Sequence, residues 1–433
     1  MNLLVILFLT VITVGLRYFA QFLSLPTMPN PTLMLGLILI SSWVIGSSIK
    51  YKSLPALVGF VLYGLAASPS GLNLLTVQDI QSLAFIQFMV FMLIGFLLGG
   101  HIDFKRYKDL TSLVPRLMGI QLVLLFLLTT VFLWGIHSLF PEFSLLNAQN
   151  IFAFAFILTL FFASTSPAVI FTLHQEVDAS GRVKTIIEIT SIFMSLLILL
   201  FLFGDGILLK FLTGTAQESS ASHAVYTFFK HFFAVLMSTL GIGLFLRFFL
   251  SAFKEGFIVF LLIVILCLFK IGKNFFPECI TCFIGVGMIV RYQSKRGKKM
   301  IKNIQRYSLP LFILFFTLTA THFTFFKMES PCLLLLLVPF FFIRFVGLQV
   351  STTLFFRIKN KEEHSTRTIA KGFLPQSALT LFLLTLLPRL GEFAHIKELS
   401  SVLTWMVFLN LLFGASLFKA SFIRNKADQH DEN

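Results

Sequence analysis

Few charged residues fall inside the apolar runs of this chain, and two stand where a charge needs a reason. Glu188 lies about two turns into the run that begins near Val183, and Arg344 lies in the middle of FFFIRFVGLQV. A charge at bilayer depth costs about 2.5–3.5 kcal/mol on insertion scales, so each is a functional candidate. By the helical rise both fall on the order of 10 Å from the same face, which permits an ion pair between them. Such a pair would either lock two helices together or serve transport. Thr185, Ser191 and Ser195 share one third of the helical wheel with Glu188. That polar stripe should face a water-filled cavity or hydrogen-bond to neighbouring helices.

Two apolar runs carry helix-breaking and small polar residues. FFASTSPAVIFTL holds Ser164, Thr165, Ser166 and Pro167; AKGFLPQSALTLF holds Gly372, Pro375, Gln376 and Ser377. A proline removes one helical N–H and frees a carbonyl, and short polar side chains offer oxygens that re-satisfy the backbone or coordinate an ion. The two runs have opposite orientation by their place among the loops, which points to an inverted-repeat transporter with its site where they cross. Other chemistry-bearing residues form no constellation. His137, His174 and His322 lie near span ends without catalytic or metal-ligand spacing and read as interfacial side chains. Cys279 and Cys282 form a CxxC within an apolar helix, with no second pair or His cluster beside it, and read as small apolar residues. Neither an enzyme activity nor a metal or cofactor is expected.

The elements that must carry these residues are membrane helices. Of 433 residues 57% are hydrophobic and 12% charged, and the mean hydropathy is +0.91. No water-soluble packing hides that much apolar surface, so lipid is the solvent for most of the chain. Runs of spanning length occur at 3–24, 32–49, 54–68, 80–99, 111–136, 149–174, 183–209, 224–250, 256–271, 277–291, 307–325, 331–356, 368–388 and 398–419. This predicts an all-α polytopic membrane protein of about fourteen transmembrane helices.

Alternate loops hold the basic clusters: Lys50 and Lys52; Lys105, Arg106 and Lys108; Arg182 and Lys184; Arg291 through Arg306; and Arg357 through Arg367. The positive-inside rule puts these loops and both termini in the cytoplasm. The net charge of +15 sits in such short loops, a topogenic pattern with no recognisable nucleic-acid motif. The first apolar run lacks a basic region before it and is too long for a signal peptide, so it reads as a retained helix. The tail SFIRNKADQHDEN is too short to fold alone.

Read in order, these segments resemble the cation/proton antiporter superfamily, especially sodium/proton and potassium-efflux antiporters. SLPALVGFVLYGLAASPSGLNLL is similar to that family's early Leu-Pro helix and Gly-Pro-x-Gly-Leu turn, with Ser68 replacing the usual Gly. FMVFMLIGFLLGGHIDFKRYKDL resembles its next helix, with His101 and Asp103 near the usual Glu. ASTSPAVIFTLHQE and GFLPQSALTLFLL resemble its two unwound core helices, and ASGRVKTIIEITSIFMSLL its ion-site helix. The resemblance covers roughly residues 50–420. It divides the chain into an additional N-terminal helix (1–31), an exchanger-like domain (32–420) and a short cytoplasmic tail (421–433).

The resemblance implies an inverted-repeat fold, exchange of Na⁺ or K⁺ for protons across a bacterial inner membrane, and a homodimer surrounded by lipid. In that reading Glu188 is the proton-linked carboxylate, with Arg344 its possible partner. Thr165, Ser166, Ser191 and Ser195 supply oxygens, while Pro167 and Pro375 keep the helices unwound beside Gly372, Gln376 and Ser377. One departure stands out. The family's ionisable pair falls at Ile192–Ser195, where this chain has no ionisable residue. Either Glu188 takes over that role from one turn away, or the fold persists without proton coupling, as a uniporter or a structural or regulatory subunit.

Overall fold

The computed structural model describes residues 31–50, 54–102, 110, 112–139, 151–177, 181–212, 221–253, 257–272, 275–293, 295–322, 335–358, 363–376, 380, 381, 384 and 396–431, with Val11 and Gly15 isolated before them. The rest of the run at 3–24 lies outside the described residues, as does Ser377.

Every regular element among the described residues is a helix. The first half of the chain holds α1 (Pro31–Lys50), α2 (Ala56–Ala67), α3 (Val77–Ser82), α4 (Ala84–His101) and α5 (Leu113–Leu139). Then come α6 (Ile151–Ala163), α7 (Pro167–Glu176), α8 (Gly181–Phe201) and α9 (Phe203–Leu212). The second half holds α10 (Ala221–Ala252), α11 (Phe257–Gly272), α12 (Phe276–Gln293), α13 (Lys295–Arg306) and α14 (Leu309–Ala320). It closes with α15 (Leu337–Ile358), α16 (Glu363–Gly372), α17 (Ile396–Leu409), a π-helical turn (Asn410–Gly414) and α18 (Ala415–Asp431).

Among the described residues, seven stretches are long and apolar enough to cross a membrane: α4, α5, α6 with α7, α8, α10, α15, and the α17–α18 stretch. Shorter apolar helices are seen in α1, α2, α11 and α14. Their backbones satisfy themselves internally, the one solution open to a chain in hydrocarbon.

Two packed groups frame the site. In one, α4 lies against α12 so closely that a side chain at Gly99 would strike the backbone of Ile284, and one at Gly287 the backbone of Phe96. Absence of a Cβ is what permits such an approach. In the other, α5 packs on α6 and α15, and α16 packs on α15, α18 and α8. The half-helix α7 touches α4, α8 and α18, so it lies between the groups.

Three sequence expectations change. The basic stretch after Arg291 is the helix α13 rather than a loop. Ile301 and Ile304 turn into the protein, while Lys298, Lys299, Lys302 and Arg306 face out. Its apolar residues recur at helical spacing among the lysines, which makes it amphipathic. The run read as 183–209 is two helices, α8 and α9, separated at Leu202. The last run takes in the π-turn, and its helix continues to Asp431 through most of the segment read as a tail.

Candidate functional site

The sequence Ala163-Ser164-Thr165-Ser166-Pro167 interrupts a helix for local reasons. Proline at 167 cannot donate to the preceding turn but suits the first position of a new helix. Ser166 caps that helix, its hydroxyl accepting from the Val169 N–H at 3.2 Å. On the other side α16 ends at Gly372; the Phe373 and Leu374 N–H groups close it by donating to the carbonyls of Ala370 (3.3 Å) and Lys371 (3.2 Å), and Pro375 and Gln376 run on ahead of residues 377–379, which lie outside the described set. The two breaks meet: the Ser166 N–H donates to the Pro375 carbonyl at 3.0 Å.

Polar side chains complete the crossing. Gln376 donates to the Phe161 carbonyl at 2.8 Å and to the Ser164 hydroxyl at 3.1 Å. Ser164 Oγ also bonds Thr380 Oγ1 at 2.8 Å. Asn410, in the π-turn, donates to Gln376 Oε1 at 3.0 Å. Gly414 brings that turn against the break, since a Cβ there would lie 3.0 Å from the Leu374 and Pro375 backbone. A π-turn of this kind is a local irregularity that often marks a functional site.

Arg344 is the hub. Its side chain is fully buried, and its guanidinium donates to the carbonyls of Leu374 (2.7 Å), Phe373 (2.9 Å) and Ser164 (3.0 Å), and to Asn410 Oδ1 at 3.3 Å. These carbonyls are the ones freed where α6 and α16 end. A helix C-terminus carries partial negative charge, so two of them together stabilise one cation. The planar fork of an arginine reaches several acceptors at once, which an ammonium does not.

The ion pair that equal depth permitted between Glu188 and Arg344 is therefore not formed. Backbone carbonyls occupy the guanidinium, and Glu188 has another partner. Its Oε1 lies 2.8 Å from His174 Nδ1, with Lys184 Nζ at 3.9 Å one turn earlier on α8. The His174 side chain is 1% exposed and that of Glu188 15%. His174 is thus not an interfacial side chain: its ring lies against Phe418 and Phe422 of α18 at 5.4 Å. Beside it, Glu176 closes α7 in a tight ion pair with Lys419 at 2.6 Å. Lys419 also holds the Leu54 carbonyl (3.0 Å), and Glu176 Oε2 accepts the Ala56 N–H (3.1 Å).

The polar stripe on α8 divides. Ser195 donates to the Thr165 carbonyl at 3.4 Å. The hydroxyls of Thr165, Ser191 and Thr190 are buried with no hydrogen-bond partner, while Thr185 turns back to the Gly181 carbonyl at 3.1 Å. A cavity of about 30 Å³ is bounded by Ser166 and Pro167, by Ile192 and Ser195, and by apolar side chains of α4, α12 and α14 that include Phe91 and Phe315. That volume suits a water-sized guest. The structure thus brings Thr165, Ser166, Pro167, Ser195, Pro375, Gln376 and Arg344 to one crossing, leaves Ser191 buried on α8 and Gly372 against Ile187, and sets Glu188 apart, one turn from Ile192.

Asn410 and Thr380 join the crossing although the sequence reading names neither, and His174, expected at an interface, is buried against Glu188. An asparagine in the apolar run FLNLLFGASLF was a visible signal.

Solved structures share this architecture. The structure of the sodium proton antiporter MjNhaP1 from Methanocaldococcus jannaschii at pH 8 aligns over 91% of this chain and 96% of its own, with a TM-score of 0.63 and 14% identity. An electron-microscopy map of the same antiporter aligns over 90% and 96%, with a TM-score of 0.68 and again 14% identity. Identity that low establishes the fold alone. A comparison with curated proteins finds no match. Over residues 34–422 the sequence matches the family model for the transmembrane region of sodium/hydrogen exchangers, and the chain belongs to that family.

Proposed function

We propose that this protein exchanges a monovalent cation, Na⁺ or K⁺, for protons across a membrane by alternating access, with its basic loops on the cytoplasmic side. The observation that carries the reading is the crossing of two helix breaks with buried, unpartnered hydroxyls beside a cavity. Thr165 and Ser191 keep buried oxygens free, each next in sequence to a residue of the cavity wall (Ser166 and Ile192), and Ser195 and Ser166 border the space. Carbonyl and hydroxyl oxygens are the ligands hard monovalent cations take, and broken membrane helices are where transporters supply them.

The proton side rests on Glu188. Ile192, Phe193, Met194 and Ser195 carry no ionisable group, so the carboxylate one turn earlier on α8 is the nearest on that helix. In this reading Arg344 is not the proton carrier. It neutralises the helix ends and keeps the crossing in register while the core moves.

The test is exchange in liposomes holding a preset pH gradient, with Na⁺, K⁺ or Li⁺ added outside. Cation-specific collapse of the gradient, abolished in Glu188→Gln with the fold intact, is the expected result. Folded protein that responds to no cation would leave the fold without exchange chemistry and sink the reading.

A further inference from the structure

We propose that His174 and Glu188 form one proton-binding unit in which the incoming proton is accepted by His174 Nε2 rather than by the carboxylate. The proposal rests on the exchange reading above and assigns its proton site.

The hydrogen bond decides which nitrogen is available. Glu188 Oε1 is 2.8 Å from Nδ1, and an ionised carboxylate only accepts, so Nδ1 carries the proton and Nε2 keeps its lone pair. Nε2 is buried and has no hydrogen-bond partner. A bare imidazole nitrogen inside the protein, on a ring already oriented by a carboxylate, is a proton acceptor held in place. When a proton arrives from water, an Nε2–H bond forms and the ring becomes an imidazolium facing the Glu188 carboxylate. The unit passes from net −1 to neutral, and the same bond breaks on release. Protonation thus turns a carboxylate held by a neutral donor into a buried ion pair, a state that a glutamate alone cannot form.

The surroundings fit a unit that communicates with one aqueous face. On α8 the other charge is Lys184, whose side chain is 31% exposed. From α4, His101 acts on Glu188; it is itself hydrogen-bonded to Gln305 of α13 and lies within the field of Arg291 of α12. From α18, Phe418 and Phe422 cover the ring, and Lys419 is occupied by Glu176. Among the described side chains, the remaining elements packed on α8 carry Arg116 and His137 on α5, Lys210 on α9, Glu278 on α12, and Arg367 and Lys371 on α16. With Lys184 3.9 Å from the carboxylate, the unprotonated unit leaves this end of α8 less positive than the protonated one, so protonation disfavours a cation approaching along α8. Proton and cation then compete although the cavity itself holds no carboxylate.

The deciding variant is His174→Asn. Its amide nitrogen can replace Nδ1–H toward Glu188 but offers no proton acceptor, so a merely structural role survives and the proposed one does not. Two measurements are made on folded protein. In detergent, the proton uptake of His174→Asn between about pH 5 and 8 should fall short of wild type by about one proton per chain. In liposomes, exchange near neutral pH should drop about hundredfold. Residual activity should move to lower pH by about a unit or more, because a carboxylate alone protonates only in acid. Wild-type uptake together with a wild-type pH profile in His174→Asn would overturn the proposal. If wild type moves no protons with any cation while the uptake difference is present, the proton unit stands and the exchange reading falls.

Discussion

Among the described residues two histidine–carboxylate pairs share the same atoms and distance, and they differ in what surrounds them. His174 meets Glu188 at 2.8 Å between α7 and α8, and His231 meets Glu278 at 2.8 Å between α10 and α12, each through Nδ1 and Oε1. Glu278 stands in the first turn of α12, where helix dipoles favour a negative charge. His231 is 18% exposed and rests near Phe275. Its position needs no explanation beyond local electrostatics.

Glu188 lies past the first turn of α8, where the dipole has faded, and its histidine is sealed under two phenylalanines. The first pair also borders two broken helices held by Arg344, whereas the second borders α12, which packs on α4 through glycines. A pair of this kind is therefore not a signal by its geometry. The signal is a pair whose cost the local structure does not otherwise explain.

The largest expected effect lies beneath the comparison, in the frame that holds the first pair. Arg344→Met would leave the carbonyls of Ser164, Phe373 and Leu374 without their donor. Each buried unsatisfied group costs about 1–3 kcal/mol, so the variant should yield little folded protein by size-exclusion chromatography. Wild-type yield and thermal midpoint would show that the crossing does not depend on it. Next comes the contrast itself. Glu278→Gln should retain exchange within about twofold of wild type, against the loss expected in Glu188→Gln, since neutralising a helix-terminal charge costs about 0.3–1 kcal/mol and touches no transported ion. Equal loss in both would break the comparison. The smallest effect belongs to His231→Gln, which should lower stability by about 0.5–1.5 kcal/mol in thermal unfolding and leave the pH profile of exchange where it was.

What was legible in the sequence follows from what kind of partner each residue takes. The two breaks could be read because proline and short polar residues in an apolar run have local consequences. Arg344 and Glu188 could be read as important because charge is rare at that depth. Their pairing could not, since Arg344 binds backbone carbonyls, and a carbonyl freed by a break has no residue type of its own. Counted along a full span, His174 falls at an interface. It lies on a half-helix of ten residues, Pro167–Glu176, whose far end is still inside the bundle. In α13 the lysines drew attention to charge, and the spacing of Met300, Ile301 and Ile304, which makes the segment a helix, went unused.

The contact that joins Glu176, Lys419 and the start of α2 has a kinetic consequence. Under the alternating access proposed above, changing the side from which the cavity opens requires α7 either to slide past residues 54–56 or to take them along. If it slides, every turnover ruptures an ion pair whose two side chains are 6% and 9% exposed, and the transport rate falls steeply on cooling. If it takes them along, α2 and its neighbour α1 travel with the core as passengers, and the moving mass is larger than the broken helices alone would suggest.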